Sequence, residues 1–580
     1  MSQIQLKEKR KLGRFALPLL LLFIVTSIVT WVIYPFPSDI KSAYFDSEHP
    51  ILINDDVTTY EAKMAEESIY VPIEFVQEEI DEHLFFDENT GSVIVTTKEK
   101  VFQLQTDHLT YFVNNQEHSL SFPALVDNND QKYIATSWME EVYPIEISYL
   151  SETGAVHVID EGKSVMTGKS VSEYDVDLFR LREKPDLTSP YYEELETNEE
   201  VVIVDEKEKY YKVRKDNGIA GYVKKEVIEL TGVEQVEVEI EEEPKSTNLP
   251  KLEWPIHMTW DAIYHPDATP TVLTDYEGVQ VISPTWFHLN KADGSLTSYA
   301  KEAYVKDAKE KGYQVWALFS NDFNADLTHE VLKSYETRKT IISQLLHYAN
   351  IYNLDGFNID FENVYLEDGE LLTQFMREFT PLAHEAGLVV SMDITFISTN
   401  ENYSMFYERE QLAEVVDYLI VMAYDEHWAT SPKAGSVASI PWVEENLTRL
   451  LEVVPNERLM LGVPLYTRLW KETENADGTI SVESESMSMD DVEAWITEHQ
   501  VTPKYDEASG QQYVEWKDPE NPITYKIWIE DAQSLQKRTE LVHKYNLAGM
   551  ASWSDYFANE AVWKEIDESL RTKSVVAESD

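Results

Sequence analysis

Residues 355–362 read Asp-Gly-Phe-Asn-Ile-Asp-Phe-Glu, and within them polar Asn358, Asp360 and Glu362 alternate with apolar Phe357, Ile359 and Phe361. A strand turns successive side chains to opposite faces, so the three polar groups share one face. The large residues between them read as the second face of a strand buried on both sides. Carboxylates inside such a strand are costly unless they are used. The plain alternative is an acidic edge strand facing solvent. The chemical reading is a glycosidase acid with a helper carboxylate beside it. With no Cys in the chain, disulfides, thiolate metal sites and a Cys nucleophile are excluded. There is no His-Glu-x-x-His cluster, which disfavours a metal-dependent hydrolase, and no metal or cofactor is expected. Lys163-Ser164 and Lys169-Ser170 each follow a glycine, but without phosphate-loop spacing, so nucleotide binding is set aside.

The elements that must hold these carboxyls begin near residue 251, where apolar strands start to alternate with helical stretches. Candidate strands start near Ile256, Gly278, Gln314, Gly356, Val389, Tyr418, Leu459 and Ala548. That series predicts an α/β TIM barrel, (β/α)₈, over 251–571, with one α+β insertion at about 471–530. Active sites of such barrels lie at the C-terminal strand ends. Glu362 falls at the end of the fourth strand.

The octapeptide resembles the signature of glycoside hydrolase family 18, the chitinase-like barrels, in which four acidic positions stand at this spacing. Asp355, Asp360 and Glu362 match, and Asn358 departs, since many members carry Asp there. The Asn version followed by Asn363 resembles the branch of spore-cortex and cell-wall N-acetylglucosaminidases. Three more strand ends fit the family. They are Met422-Ala423-Tyr424-Asp425, then Gly462-Val463-Pro464-Leu465-Tyr466-Thr467-Arg468 with Thr467 in place of Gly, and Gly549-Met550-Ala551-Ser552-Trp553. The stretch ending in Trp528-Ile529-Glu530-Asp531 resembles the insertion that walls one side of the cleft in many members.

The resemblance implies a retaining mechanism in which the substrate's own N-acetyl carbonyl attacks the anomeric carbon. On it Glu362 protonates the leaving oxygen and then activates water. Asp360 orients the acetamido group, and Tyr424 donates to its oxygen. Trp553 packs on the sugar face. Asn358, Asp355, Met422, Asp425, Arg468 and Trp528 complete the expected substrate-binding set, with Asp355 nearer a structural role. An amide at 358 removes a like charge beside Asp360 and can donate a hydrogen bond to it. Asp360 is therefore expected to ionise more easily than with Asp at 358.

Ahead of the barrel the chain reads as several modules. Lys7, Lys9, Arg10, Lys11 and Arg14 precede an apolar run over 15–34. Twenty residues at about 1.5 Å each span ~30 Å, a bilayer core. The run ends in Trp31-Val32-Ile33-Tyr34-Pro35, with aromatics where a membrane interface would be. The expectation is a basic cytoplasmic tail (1–14), an uncleaved transmembrane signal-anchor (15–34) and a catalytic domain outside the cell. Within 48–160, Phe86–Val95 aligns with Tyr149–Val158 at an offset of 63 residues, and Tyr70–Ile73 with Tyr133–Thr136. Each copy predicts a short helix and a hairpin turning at Thr-Gly. This small α+β duplicated domain resembles the N-terminal stalk of copper amine oxidases, which lacks the copper site. Residues 165–231 are strand-rich, with Asn217-Gly218 as a hairpin signal. They resemble a bacterial SH3 β-barrel, with a plain spacer as the alternative. The linker, 232–250, opens with six Glu in 234–243; its start is also a candidate strand at Val236–Glu239.

The formal charge is −58. Such a surface does not bind nucleic acid by phosphate neutralisation and is repelled by anionic lipid. It suits solubility, or life in salt or at high external pH. The chain is thus expected to be a single-pass, membrane-anchored hydrolase of N-acetylglucosamine-containing polysaccharide. Peptidoglycan is the first substrate and chitin or chitooligosaccharide the second. A non-hydrolytic wall-binding lectin is the alternative from another class.

Overall fold

The computed structural model describes residues 13–33, 36–65, 68–128, 131–171, 175–238 and 249–572. The chain divides into two compact units. One comprises Met1–Glu82, Thr106–Leu109 and Leu120–Glu242. The other comprises His83–Gln105, Thr110–Ser119 and Glu243–Asp580.

The second unit is built on eight parallel strands. They are β1 (Ile256–Asp261), β2 (Val281–Leu289), β3 (Gln314–Ser320), β4 (Gly356–Asp360), β5 (Val389–Ile394), β6 (Tyr418–Met422), β7 (Leu459–Pro464) and β8 (Gly549–Trp553). β1 pairs with both β2 and β8, so the barrel closes and has no free edge. The expected second start, Gly278, is instead a turn at φ +80°, and the strand begins at Val281. Outer helices follow the strands: α1 (Glu302–Glu310), α2 (Ala325–Leu332), α3 (Tyr335–Tyr352), α4 (Gly369–Glu385), α5 (Arg409–Val415), α6 (Ile440–Leu450), α7 (Ala532–Lys544) and α8 (Glu560–Arg571). Their starts are chemically marked. Asn324 accepts from Leu327 N–H, Asp531 forms a capping box with Ser534, and Asn559 accepts from Val562 N–H.

Inside the barrel, Trp316 stacks on Tyr418 at 5.8 Å, and Met258, Val281, Ile420 and Met460 fill the space around them. Between barrel and helices, Phe361, Phe375 and Phe379 form a stacked run with centroids 6.0 Å apart. Burying each such ring is worth about 2–3 kcal/mol, and this run anchors β4 and its polar face against α4. Between β7 and β8 lies the insertion. It is a five-stranded sheet running from Thr467 to Ile529 with one helix, Met489–His499.

A second sheet belongs to this unit. Five antiparallel strands, Phe85–Asp87, Ser92–Thr96, Val101–Gln105, Thr110–Val113 and Gln116–Ser119, are drawn from the middle of the stalk-like region. Ile94 and Val101 join the core under the barrel's helices. Arg338 of α3 lies 4.6 Å from the Phe85 ring, and Lys339 donates to Gln103. The 48–160 stretch therefore divides in space, because its two hairpins find different partners.

In the first unit, the repeat is visible element by element. Helices Ile73–Glu79 and Thr136–Val142 stand at the 63-residue offset, and strands Ser68–Pro72 and Gln131–Ala135 pair antiparallel. The second-repeat hairpin, Ile145–Leu150 with Ala155–Asp160, turns through Gly154 at φ +76°. Residues 164–235 form one antiparallel sheet of seven strands around Leu181, Val213 and Val223. Among the described residues its two edge strands, Tyr191–Glu194 and Ile228–Gln235, do not pair with each other. Its last strand is Ile228–Gln235, earlier than the expected Val236–Glu239. Most of the linker, 239–248, lies outside the described residues.

Gly13–Ile33 is helical, and its side chains from Leu17 to Thr30 are exposed. Among the described residues no helix is long and apolar enough to cross a membrane. The expected span, 15–34, extends beyond those side chains at both ends.

Candidate active site

The polar face of β4 looks into the top of the barrel. Its register with β5 sets Asn358 opposite Ser391 and Ile359 opposite Met392. The next step along both strands lays Asp360 beside Asp393. Neighbouring strands are about 4.8 Å apart, so the two carboxyls are close neighbours.

Asn358 is fully buried and completely bonded. Its Oδ1 accepts from Trp260 Nε1 at 2.7 Å and from Ser283 Oγ at 3.3 Å. Its Nδ2 donates to Ser391 Oγ at 3.2 Å and to Asp393 Oδ1 at 2.9 Å. An indole nitrogen only donates, so the amide has one orientation. This corrects the expectation that Asn358 donates to Asp360. Two residues on one strand face are about 6.6 Å apart, beyond a short amide's reach, whereas the neighbouring strand is nearer.

Asp360 is enclosed, and its Oδ1 has no protein partner. Burial pushes its carboxyl up to about 7, with the His288 imidazole pulling the other way. Glu362 is pushed well above the usual carboxylate range, first by burial and then by the charges of Asp360 and Asp425. Its backbone is clasped by Asn321, which accepts from Glu362 N–H at 3.1 Å and donates to its C=O at 2.8 Å. Asn321 is itself held through Thr328 of α2.

Tyr424 follows β6, with its ring 6.3 Å from Tyr466 and nearly perpendicular. Burial and the Asp393 charge keep its phenol protonated well beyond the ordinary range. Asp425 sits at φ +60°, accepts from Tyr466 OH at 2.6 Å and lies 3.6 Å from Arg468. Met422 ends β6, half-buried. Trp553 ends β8, 5.7 Å from Trp260, the residue that holds Asn358. The barrel's C-terminal end therefore gathers Asn358, Asp360, Glu362, Met422, Tyr424, Asp425, Arg468 and Trp553.

Two expected site residues lie elsewhere. Asp355 precedes β4 at the opposite end, where it pairs with Lys309 at 2.9 Å and accepts from Val315 N–H. Five residues of strand, about 16 Å, separate it from Asp360. Trp528 is half-buried within the insertion, donating to Asp506 at 3.3 Å and packing on Tyr513.

Sequence reasoning missed Asp393, Asn321 and Trp260. It also missed a second carboxyl pair at the same end of the barrel. There Asp261 accepts from Tyr304 OH at 2.9 Å, and Asp555 accepts from Tyr276 OH at 2.6 Å. Burial and the Asp261 charge raise Asp555 to about 7. Exposed aromatic rings ornament the loops after five strands: Tyr264, Phe323, Tyr403, Trp428 and Tyr556. Among the described residues no cluster of three or more His, Asp or Glu side chains is placed to hold a metal ion.

The sequence profile of glycosyl hydrolases family 18 matches residues 265–557, and that of the copper amine oxidase N-terminal domain matches residues 52–158. The uncharacterized glycosylase YvbX of Bacillus subtilis is 25% identical over 285 residues, 47% of this chain and 80% of that protein. The cortical fragment-lytic enzyme of Bacillus anthracis is 24% identical over 270 residues, 45% of this chain. The chain spans 62% of that enzyme's length. The crystal structure of the Bacillus cereus spore cortex-lytic enzyme SleL aligns with 55% of this chain and 75% of its own, at a TM-score of 0.49 and 20% identity.

Proposed function

Since the chain belongs to glycosyl hydrolases family 18, we propose that it cleaves β-linked N-acetylglucosamine glycans, peptidoglycan foremost, by a substrate-assisted retaining mechanism. The observation that carries this reading is the pair of enclosed carboxyls, Asp360 and Glu362, with different surroundings. Glu362, held well above the usual range by burial and the neighbouring carboxylates, gives up its proton less readily than an ordinary carboxyl and is suited to protonate the leaving oxygen. Once ionised, it can take a proton from water attacking the same carbon. The unpartnered Oδ1 of Asp360 is an acceptor for the acetamido N–H, whose positive charge grows as its carbonyl attacks. The Tyr424 phenol, kept protonated, is a donor for the acetamido oxygen. Trp553 offers a face to the sugar, and the exposed aromatic rings suit stacking along a glycan.

The peptidoglycan assignment draws on the relatives called cortical fragment-lytic enzymes and on the SH3-like reading of 165–231. The membrane anchor is part of the same proposal and rests on the basic 7–14 segment and the apolar 15–34 run. It would place the enzyme beside the wall, outside the cell.

The test is mass analysis of muropeptides after incubating the full chain with peptidoglycan, next to Glu362→Gln and a chitooligosaccharide reaction. New N-acetylglucosamine reducing ends that vanish in the variant support the proposal. Cleavage of chitooligosaccharide alone makes the enzyme a chitinase. Binding without product from either glycan makes it a lectin.

A further inference from the structure

Three polar residues stand abreast on neighbouring barrel strands. His288 of β2 lies in register with Ser320 of β3, and Ser320 with Asp360 of β4. Their side chains share the inner face, because the residue before each one points outward. Phe287 stacks on Tyr348 of α3 at 5.0 Å, Phe319 packs on Phe361 at 5.2 Å, and Ile359 joins the core between strands and helices. Two strand spacings, about 10 Å between backbones, separate His288 from Asp360, and both side chains reach into that interval.

The imidazole is fixed in place. Its Nδ1 stands 2.7 Å from Asp322 Oδ1, and the Tyr299 ring packs on it at 4.7 Å. A carboxylate only accepts, so Nδ1 holds a proton. Nε2 is enclosed and has no protein partner, like Oδ1 of Asp360. Asp322 reaches the ring from an uncommon turn, in which it and Phe323 are consecutive non-glycine residues at φ +52° and +57°. Ser320 Oγ accepts Asp322 N–H, and Asn321 Oδ1 accepts Phe323 N–H, which hold that turn. The turn lays an anion against Nδ1, so a second proton on Nε2 completes an ion pair instead of leaving an isolated enclosed charge.

We propose that His288, held by Asp322, is a positioning residue of the active site, whose imidazolium is the counter-charge that keeps Asp360 anionic beside Glu362. The catalytic consequence rests on the glycosidase reading above; the coupling between the two side chains does not. The other groups around Asp360 supply no such charge. Glu362 shares β4, Asp393 comes from β5, and Asp425 follows β6. Tyr407 and Tyr424 are phenols held protonated. Arg409 is turned to the Tyr407 ring at 5.3 Å, and Arg468 to Asp425 at 3.6 Å. Asp261 and Asp555, after β1 and β8, are bonded to Tyr304 and Tyr276. Among the described residues His288 is the charge that opposes burial at Asp360, whereas Glu362 has only acids acting on it. One cation on the β2 side thus distinguishes the anion from the acid.

Infrared difference spectra of wild type minus Asp360→Asn, followed over pH without substrate, isolate the Asp360 carboxyl. Its protonated carbonyl band should fade at about pH 7. With His288→Gln in both proteins, the band should persist about one pH unit higher. Asp322 is half-exposed, so Asp322→Asn is the milder change and should move the band the same way by less, even if His288→Gln does not fold. A band unmoved in these backgrounds overturns the proposal. In pH profiles of glycan cleavage, His288→Gln should raise the acidic limb by about one unit and lower kcat ~tenfold near neutral pH, with KM within about twofold. A raised KM with the acidic limb unmoved would make His288 a sugar contact and overturn the assignment. If wild type cleaves neither glycan, the glycosidase reading fails while the infrared comparison still decides the coupling.

Discussion

Asp87 Oδ2 accepts the backbone N–H of Tyr335 at 2.9 Å, across 248 residues of sequence. The helix it serves, α3, has Ser334 at its N-cap, but the serine side chain makes no capping bond. A strand of the stalk-like region thus caps a helix of the barrel. The same carboxylate accepts from Asn89 N–H and Thr90 OH, which fixes its own hairpin turn.

Asp87→Ala removes a cap and leaves buried donors unmet, so it should cost about 2 kcal/mol of stability. Urea unfolding of the full chain measures it. Activity per folded molecule should stay near wild type, because the groups Asp87 bonds, Tyr335, Asn89 and Thr90, are not among those gathered at the carboxyls. A loss below about 0.5 kcal/mol would show that water replaces the cap. For the same reason, a fragment starting at 251 should unfold at lower urea than the full chain.

The barrel was legible because its strands are apolar runs separated by helical periodicity, and seven of the eight expected starts lie within one residue of the strands found. Asn358, Asp360 and Glu362 were legible because three polar residues alternate in one strand. Asp393 carried the same signal in weaker form. Ser391 and Asp393 alternate with Val390, Met392 and Ile394, yet two polar residues in six are easily read as noise. Asn321 carried no signal, since its task is to bind the backbone of a residue 41 positions away. The docking of 85–119 was equally invisible. Its Asp87, Ile94 and Val101 look like ordinary hairpin residues until their partners in α3 and α4 are known.

Asn358→Asp places a third carboxyl against Asp393 and replaces a donor with an acceptor. Added negative charge makes every neighbouring carboxyl hold its proton more firmly. Asp360 should therefore protonate at higher pH, and the acidic limb of the rate profile should move up by about one unit. The structure changes the route of this effect from that expected from sequence. It passes through Asp393, so Asn358→Asp/Asp393→Asn should return the limb toward wild type. An unmoved limb in the single variant would sink the argument.

The enclosed carboxyls also set how stability depends on pH. Asp360 is raised from the ordinary carboxylate range to about 7. Between roughly pH 4 and pH 7 the folded protein keeps a proton that the unfolded chain has released. The native state thus binds more protons than the unfolded one, and stability falls as pH rises through that window. Asp360→Asn has no such proton to lose. Its melting temperature should match wild type near pH 4 and exceed it by a few degrees near pH 8. Calorimetry of both proteins across that range checks it, and a constant difference would show that Asp360 is not raised.

Tyr466→Phe tests how the Met-x-Tyr-Asp turn is held. The Tyr466 hydroxyl donates to Asp425 at 2.6 Å, whereas Arg468 stands 3.6 Å from the same oxygen. Asp425 is half-exposed at a left-handed backbone position, so the tyrosine is its closest tether. Without it the carboxylate can swing toward solvent and Arg468. Two effects follow. A sugar hydroxyl loses a preset acceptor, which should lower kcat/KM by about tenfold, mostly through KM. The Asp425 charge also withdraws from Glu362, which it helps to keep protonated. Glu362 should then ionise at lower pH, and the alkaline limb should move down. Steady-state profiles on one defined oligosaccharide separate the two. A KM change without the limb shift would place Asp425 at the sugar but out of electrical reach of Glu362.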